Sequence, residues 1–200
     1  MKKIRQAVIL AGGEGKRLQP LTLSTPKPLI PINGRPFAQY LIEMLKKYGV
    51  EEIVFLTGYL GEQFPEILGD GSKFGLSIRY SHSPVADDTG ERLRKGKDLF
   101  DEEFFLFYGD NYCGIDLAAL VAFHESVGTQ ATVTVYERND PTKKNNMRVR
   151  EGVVEIYEKK GDTRDLNGID IGFFVLSKKV LDLLPDGNVN FEQTVFPKLI

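Results

Sequence analysis

Apolar runs alternate with amphipathic stretches along about the first two thirds of the chain. Five of the runs have the length and composition of β-strands, and several are apolar on both faces, as strands inside a sheet are. They lie at residues 6–11, 52–57, 76–81, 103–108 and 131–136. The alternation with helical segments predicts a βαβ layer fold with a mostly parallel sheet.

The clearest helical pattern covers residues 36–48, where apolar side chains recur on one face between Pro36 at the first position and Gly49 after the last. A second helix is predicted from Asp116, as the N-cap, to about His124. Beyond it the pattern changes to short strands and one more helix. These are predicted at residues 147–150, 153–157 and 169–175 for the strands, and near 178–184 for the helix. We interpret this part as an extension of the sheet that carries substrate contacts.

Composition limits the classes of function. With 200 residues and 42% hydrophobic content, the chain suits one globular domain over residues 1–200. Its net charge of −2 comes from 26 basic and 28 acidic residues along the whole sequence, so no broad field would attract nucleic acid or a membrane. The one cysteine, Cys113, cannot form an internal disulfide, and no signal peptide pattern precedes the first strand. These features predict a cytoplasmic protein that does not bind nucleic acid or membranes.

The first strand is followed by a loop rich in glycine, basic residues and proline. Gly12, Gly13 and Gly15 let backbone N–H groups approach an anion, because no Cβ stands in the way. Two familiar phosphate motifs fail on spacing: G-x-G-x-x-G would need glycine at Leu18, and G-x-x-x-x-G-K-[ST] would need a hydroxyl at Arg17. A turn-rich connection with solvated lysines is the simpler alternative.

The order of residues from 12 to 36 resembles the signature of the sugar-1-phosphate nucleotidylyltransferases, G-G-x-G-x-R-L-x-P-L-T-x-x-x-P-K-P-L-x-P-x-x-G-x-P. The resemblance extends over essentially the whole chain and is strongest to mannose- or heptose-1-phosphate guanylyltransferases. It implies a Rossmann-like three-layer α/β/α sandwich with a mixed, mostly parallel central sheet, of the nucleotide-diphospho-sugar transferase type. It also implies a Mg²⁺-dependent enzyme that joins a sugar 1-phosphate to GTP, CTP, UTP or dTTP and releases pyrophosphate.

The resemblance assigns roles within this loop. Arg17 would hold the leaving pyrophosphate, and Lys27 the triphosphate and the incoming phosphate. The nucleotide would be bound by Ala11, Gly12, Gly13, Gly15 and Lys16, although a solvated charge is the simpler interpretation of Lys16. The prolines on both sides of Lys27 restrict φ and so limit the entropy lost when the lysine engages phosphate.

A carboxylate, Asp110, follows the apolar strand at 103–108 in the sequence GDN. At the carboxyl end of a central strand it would point into the crevice where open α/β sheets bind ligands. One or two carboxylates plus phosphate oxygens suit Mg²⁺, so Asp110 is predicted as a metal ligand and a catalytic residue. The family has a metal site at this place, and the resemblance assigns the neighbouring Asn111 to the sugar phosphate.

The segment VADDTGERLRKG differs from the small-residue loop that the family uses at this place for base and sugar. Thr89 and Gly90 fit the pattern and are predicted to contact the nucleotide, whereas Glu91 and Arg92 replace small residues. The D-x-x-E spacing that ends at Glu91 suggests a capping box. For Arg92 two interpretations stay open, a phosphate contact or a place on a solvated helix face.

Two later segments resemble the family's sugar-binding half. Glu158 and Lys159 match an E-K-P motif, and by that motif they would bind sugar hydroxyls and the sugar phosphate. Asp170 stands where the family often has an asparagine that reads the sugar, and Gly172 matches its glycine before an aromatic strand.

The sequence stops before the segment in which the family usually has its second magnesium carboxylate. Either the sequence is cut short or the metal site is built differently. A catalytically weak paralogue that binds a nucleotide or nucleotide sugar and regulates a partner is therefore an alternative hypothesis. Cytidylyl transfer to an alcohol phosphate such as choline phosphate is another. The sequence leaves open the base, the sugar and whether the chain forms a homo-oligomer.

Overall fold

A computed structural model describes residues 3–137, 145–158 and 165–200. The strands are β1 (Gln6–Ala11), β2 (Pro31–Ile32), β3 (Arg35–Pro36), β4 (Glu52–Thr57), β5 (Ser77–His82), β6 (Glu103–Tyr108), β7 (Ala131–Glu137), β8 (Met147–Arg150), β9 (Val153–Tyr157) and β10 (Gly168–Ser177). The α-helices are α1 (Phe37–Lys47), α2 (Gln63–Leu68), α3 (Thr89–Gly96), α4 (Leu117–Val127) and α5 (Phe191–Leu199). No helix that the structure describes combines the length and apolar character of a membrane span.

Eight of the described strands form one sheet in the order β5-β4-β1-β6-β10-β8-β9, with β7 also paired to β10. The first four of these strands are parallel, and β10 pairs with β6 in the antiparallel direction. Every residue of β1 is buried, because helices cover both faces of the sheet. This confirms the predicted mixed, mostly parallel sheet.

The alternation of side chains along each strand divides the core into two layers. Ile9, Phe55 and Phe107 point to the face covered by α1, α2 and α4. Val8 and Leu106, each one residue out of phase, point to the face covered by α3 and α5. The result is the predicted three-layer α/β/α sandwich.

Three of the differences from the sequence prediction have local causes. The strand predicted at 76–81 begins one residue later, because Leu76 bonds back to the turn at Gly71. Helices α2 and α5 were missed, since each contains a proline that argues against a helix. The helix predicted near 178–184 is a 3₁₀ helix at Lys178–Leu183.

Candidate functional site

The parallel strands β1, β4, β5 and β6 all end at the same edge of the sheet. The chain runs from β1 outward to β4 and β5, then returns to the other side of β1 as β6. Ligands of open α/β sheets bind where the strand order reverses in this way. The loops after β1 and β6 meet at this switch point.

The two glycines that follow Ala11, the buried last residue of β1, have different surroundings. A Cβ on Gly12 would overlap the guanidinium group of Arg92, whereas a Cβ on Gly13 would have no neighbour within 4 Å. Residue 12 is therefore glycine because Arg92 fills the space that its Cβ would occupy. Gly13 faces open space that a ligand can enter.

Gly15 allows the loop to turn back on itself. Its φ is +64°, and its carbonyl accepts a hydrogen bond of 3.1 Å from the hydroxyl of buried Thr22. A Cβ on Gly15 would lie 3.3 Å from the Cβ of Lys27, so the loop packs tightly beneath that lysine. Arg17 and Lys16 extend outward in the 3₁₀ helix Lys16–Leu18, where both are exposed, and Lys16 pairs with Glu14 at 2.9 Å.

Lys27 and Asp110 come together although 83 residues separate them. The Nζ of Lys27 lies 2.5 Å from Oδ2 of Asp110, and the side chains are 29% and 35% exposed. Gly109 makes the approach feasible, since its N–H donates to the carbonyl of Leu10 and its Cβ position lies only 3.2 Å from Pro28. A cation and a carboxylate thus share one partly exposed spot at the switch point.

The surroundings of Asp110 suit a magnesium ion that takes most of its ligands from water and substrate phosphates. No group of three or more His, Cys, Asp or Glu side chains that would hold a metal occurs within residues 3–137, 145–158 and 165–200. Asp110 is one partly exposed carboxylate, and Mg²⁺ commonly takes one or two carboxylates with waters and substrate phosphates. The site therefore fits a cation that enters with a polyphosphate.

Residues assigned to the sugar phosphate lie on the β10 side of Asp110. The side-chain amide of Asn111 donates to the carbonyl of Ile171 at 3.0 Å. Gly172 has φ +77°, and a Cβ there would lie 2.6 Å from the Asn111 amide nitrogen. Gly172 is needed at this place because only glycine lets β10 approach Asn111 so closely.

Asp170 is engaged with its neighbours. Its Oδ2 accepts hydrogen bonds from the Asn146 amide at 2.8 Å and from the Tyr157 hydroxyl at 3.1 Å. Burial, followed by the charge of Asp170, raises the pKa of Tyr157, so the phenol stays protonated as a donor. The backbone N–H of Glu158 donates to the Asn146 carbonyl at 2.7 Å, which links two predicted sugar residues through Asn146. Sequence reasoning missed Asn146, whose only signal was its place before β8. Lys159, also assigned to the sugar phosphate, lies outside the described residues.

The capping box predicted in the loop after β5 is not formed. Asp88 caps α3 by accepting from the backbone N–H of Thr89, but its own N–H donates to Asn188 Oδ1. Glu91 instead pairs with Arg94 and Lys95, three and four residues further along the helix. The D-x-x-E spacing was misleading because Asn188, a hundred residues away, accepts the hydrogen bond from the Asp88 N–H that Glu91 would accept in a capping box.

Thr89 and Gly90 pack on the segment before α5. The Thr89 hydroxyl accepts from the Phe191 N–H at 2.8 Å, and the Gly90 N–H donates to the Val189 carbonyl at 2.9 Å. The carboxyl of Glu192 lies 3.5 Å from the Thr89 hydroxyl, and burial raises its pKa to about 7. The sequence had no signal for Glu192, because helix α5 itself was not predicted.

Both interpretations of Arg92 were wrong. The side chain is 5% exposed, so it lies neither on a solvated face nor in open reach of a phosphate. Its guanidinium group instead donates to the backbone carbonyls of Thr57 at the end of β4, Gly12 after β1 and Pro84 after β5. Helical periodicity places Arg92 on the same face as the surrounding polar residues, and only the tertiary fold supplies its acceptors.

An apolar cavity of about 640 Å³ lies elsewhere in the fold. Its wall includes Phe123, Val149 and Phe196, and none of the predicted site residues within the described ranges lines it. An apolar cavity therefore does not by itself mark the site in this chain, for which the strand-end geometry is the better indicator.

Comparisons with known proteins identify the family of the chain. The model of the nucleotidyl transferase family matches residues 6–195. The chain is 36% identical to the mannose-1-phosphate guanylyltransferase of Mycobacterium tuberculosis, over 97% of this chain and 55% of that protein. It is 34% identical to the Bacillus subtilis protein named probable glucose-1-phosphate cytidylyltransferase, over 94% of this chain and 81% of that protein. The chain thus spans about half the length of the first relative and four fifths of the second.

The fold comparison gives the same result. The crystal structure of HddC from Yersinia pseudotuberculosis matches with a TM-score of 0.81 at 25% identity, over 98% of this chain and 87% of that one. The resemblance inferred from residues 12–36 and the predicted fold class are both confirmed. The chain belongs to the nucleotidyl transferase family.

Proposed function

We propose that the chain catalyses nucleotidyl transfer from a nucleoside triphosphate to a sugar 1-phosphate, releasing pyrophosphate and forming a nucleotide sugar. The observation that supports this most directly is the contact between Lys27 and Asp110 at the switch point of the sheet. The names of the relatives support the same reaction class, since they describe guanylyl and cytidylyl transfer to hexose 1-phosphates.

The reaction joins two anions. An oxygen of the sugar phosphate attacks the α-phosphorus of the triphosphate, and the bond from that phosphorus to the bridging oxygen of the β-phosphate breaks. The electron pair of that bond leaves with pyrophosphate. Because such transfers need little covalent work from the protein, the residues act by aligning the two phosphates and neutralising their charge.

The loop after β1 would supply the cations for this task. Lys27, partly exposed and paired with Asp110, exchanges that partner for phosphate oxygens when a triphosphate arrives. Arg17, exposed on the outer part of the loop, binds the pyrophosphate as it leaves. Planar guanidinium suits the several oxygens of pyrophosphate, and a lysine point charge suits the junction of two phosphates.

The backbone of the loop would hold the nucleotide. Gly13 offers an amide beside open space, Gly15 lets the loop turn back beneath Lys27, and Ala11 and Gly12 form the floor of the site at the end of β1. Lys16 adds an exposed charge. Thr89 and Gly90 would contribute from the start of α3, where Thr89 is half-buried and Gly90 is buried against the Val189 carbonyl.

Asp110 would hold Mg²⁺, which when bound would neutralise phosphate charge and activate the α-phosphorus. The opposite side of the site would bind the sugar 1-phosphate through Asn111, Glu158, Lys159, Asp170 and the glycine turn at Gly172. Asn146 links this group from within, since it bonds both Asp170 and the backbone of Glu158.

A pyrophosphate-release assay tests the proposal. The four ribonucleoside triphosphates and dTTP are each combined with a panel of hexose and heptose 1-phosphates and Mg²⁺. We expect at least one pair to give turnover that EDTA abolishes and that the corresponding sugar 6-phosphate does not support. Calorimetric binding of a nucleotide without turnover on any sugar phosphate would contradict catalysis and favour a regulatory paralogue. A preference for choline phosphate over every sugar would contradict the substrate class.

A further inference from the structure

The guanidinium group of Arg92 lies buried directly behind the glycine-rich loop. Its Nη1 lies 2.9 Å from the Thr57 carbonyl, 2.9 Å from the Ser83 hydroxyl and 3.5 Å from the Ser83 carbonyl. Its Nη2 lies 3.3 Å from the Gly12 carbonyl, 3.0 Å from that of Pro84 and 3.1 Å from that of Val85. One side chain thus joins the ends of β1 and β4 to the loop after β5.

The bonding partners of Arg92 are neutral. Every hydrogen bond described above ends on a carbonyl or a hydroxyl, and Asp87, the carboxylate whose charge acts most on Arg92, is itself paired with Lys95 at 2.6 Å. Burial accordingly lowers the pKa of Arg92, with the charges of Asp87 and Asp88 opposing that change. Arginine remains protonated in proteins, so a cation is kept in the interior by the dipoles of three loops.

The bond to Gly12 determines how the next amide is directed. The Gly12 carbonyl accepts both from Arg92 and from the backbone N–H of Tyr59, at 3.1 Å, so it points into the protein. The Gly12–Gly13 peptide is trans, and in a trans peptide the N–H points away from the carbonyl. The Gly13 N–H therefore faces outward, and within the described residues no acceptor bonds it.

The surrounding glycines fit this arrangement. A Cβ on Gly12 would overlap the guanidinium carbon, and one on Gly58 would lie 2.5 Å from Nη1. Both positions must be glycine while Arg92 occupies the space between them. A Cβ on Gly13, by contrast, would have no neighbour within 4 Å, so Arg92 does not fill the space beside that residue.

We propose that Arg92 is a positioning residue that holds the Gly12–Gly13 peptide so that the Gly13 N–H donates a hydrogen bond to the bound nucleotide. The inference rests on the proposed function. A fixed donor needs no reorganisation when the nucleotide binds, so the gain is realised as tighter binding of the triphosphate. The sugar 1-phosphate, which binds toward β10, is not affected.

Steady-state kinetics of four variants test this. Arg92→Lys keeps the charge and loses the planar fork, and Arg92→Gln loses both. Ser83→Ala removes one acceptor and is the mild variant that decides the matter if the Arg92 variants do not fold. Arg94→Gln is the matched control, two residues along α3, where the side chain bonds Glu91 and the Gly187 carbonyl on the surface.

We expect Arg92→Lys and Arg92→Gln to raise the KM for the triphosphate about tenfold and Ser83→Ala about twofold to threefold. In these three variants the KM for the sugar 1-phosphate should stay within twofold of wild type. In Arg94→Gln the KM values for both the triphosphate and the sugar 1-phosphate should stay within twofold of wild type. Calorimetry with a non-hydrolysable triphosphate analogue should show the same loss in affinity, which separates binding from turnover.

Several outcomes would overturn the inference. One is a wild-type triphosphate KM in Arg92→Lys or in folded Arg92→Gln. Another is an equal rise in the KM of both substrates, which would indicate general loosening of the fold. If the Arg92 variants fail to fold, an unchanged triphosphate KM in Ser83→Ala overturns it. Wild-type protein that neither binds nor turns over any triphosphate would overturn the proposed function and this inference with it, whereas the other outcomes leave the proposed function intact.

Discussion

The loop after β1 and the loop after β5 leave the sheet at the same edge, and an arginine is associated with each. Arg17, on the first loop, is exposed, and Arg92, at the start of the helix that follows the second, is 5% exposed. The first loop has turns of its own, with Thr22 bonded to Gly15 and three 3₁₀ helices in succession, and it also accepts bonds from Tyr59 and Gln63. The second is held by distant partners, among them Asn188 and the segment before α5.

The difference separates two uses of positive charge at one site. An exposed cation on a rigid loop can meet a polyanion from solution, and its desolvation cost is low. A buried cation must be satisfied by the protein itself, so it organises backbone rather than binding a ligand. The first loop would therefore provide charge and the second geometry, and the predictions below test that division.

The largest effect is expected at Asp110, against which Lys27 of the first loop is placed. Asp110→Asn removes the charge that would hold Mg²⁺, so pyrophosphate release should fall by about 10³-fold or more. Asp116→Asn is the control, because asparagine caps a helix as well as aspartate and Asp116 caps α4. Turnover of Asp110→Asn near the wild-type rate would remove Asp110 from the reaction.

The second prediction concerns Glu192, beneath the loop after β5. Its pKa of about 7 lies above the ordinary 4.5, first because of burial and then because of the charge of Asp88. The stability that protonated Glu192 contributes is complete below pH 4.5 and is lost as pH rises through about 7. Chemical denaturation should show that the free energy of unfolding of wild type falls by up to about 3 kcal/mol, relative to that of Glu192→Gln, between pH 5 and 8.

The surface variant Glu66→Gln on α2 serves as the control for that titration and should show no such change relative to wild type. A pH-independent difference between wild type and Glu192→Gln would mean that Glu192 does not titrate in this range. It would also mean that the second loop is insensitive to charge beneath it.

The third prediction tests the exposed arginine. Arg17→Gln should lower kcat/KM about 30-fold, because one charge-assisted contact to the leaving pyrophosphate is lost, while the melting temperature stays constant. Arg79→Gln, an arginine on the edge strand β5 that lies near Glu52, should leave kcat/KM unchanged. Equal kcat/KM values in the two variants would show that Arg17 does not bind the leaving pyrophosphate.

The smallest effect separates the two adjacent glycines. Gly12→Ala forces a methyl group against buried Arg92 and should lower the free energy of unfolding by about 1–2 kcal/mol. Gly13→Ala meets no neighbour, so we expect unfolding to change by less than about 0.5 kcal/mol. Urea denaturation of both variants measures this, and equal destabilisation would show that Gly12 yields to the methyl group without moving Arg92.

Much of the sheet was predictable because local pattern and tertiary environment agree there. The bounds of β1, β4 and β6 match the prediction residue for residue, since strands buried on both faces read as continuous apolar runs. The prediction for α1 differs by one residue at each end, because Pro36 and Gly49 bracket its apolar stripe.

The environment of the site was less predictable, and the difficulty increased with the distance in sequence between partners. Asp110 at the end of β6 followed from its place after a buried strand, but its bond to Lys27 spans 83 residues. Arg92 and Asp170 were assigned from local motifs, and in both the structure reveals partners that no local motif specifies.

The sequence by itself determined the order of the central strands along the chain, the position of the glycine-rich loop and the place of Asp110 after its strand. These features depend on side-chain periodicity and turn chemistry within a few residues. Only the tertiary structure decided that Lys27 meets Asp110, that Gly12 is glycine because of Arg92, and that Asn146 links Glu158 to Asp170. Each of these depends on which strand ends share one edge of the sheet, and that is set by the packing of the whole core.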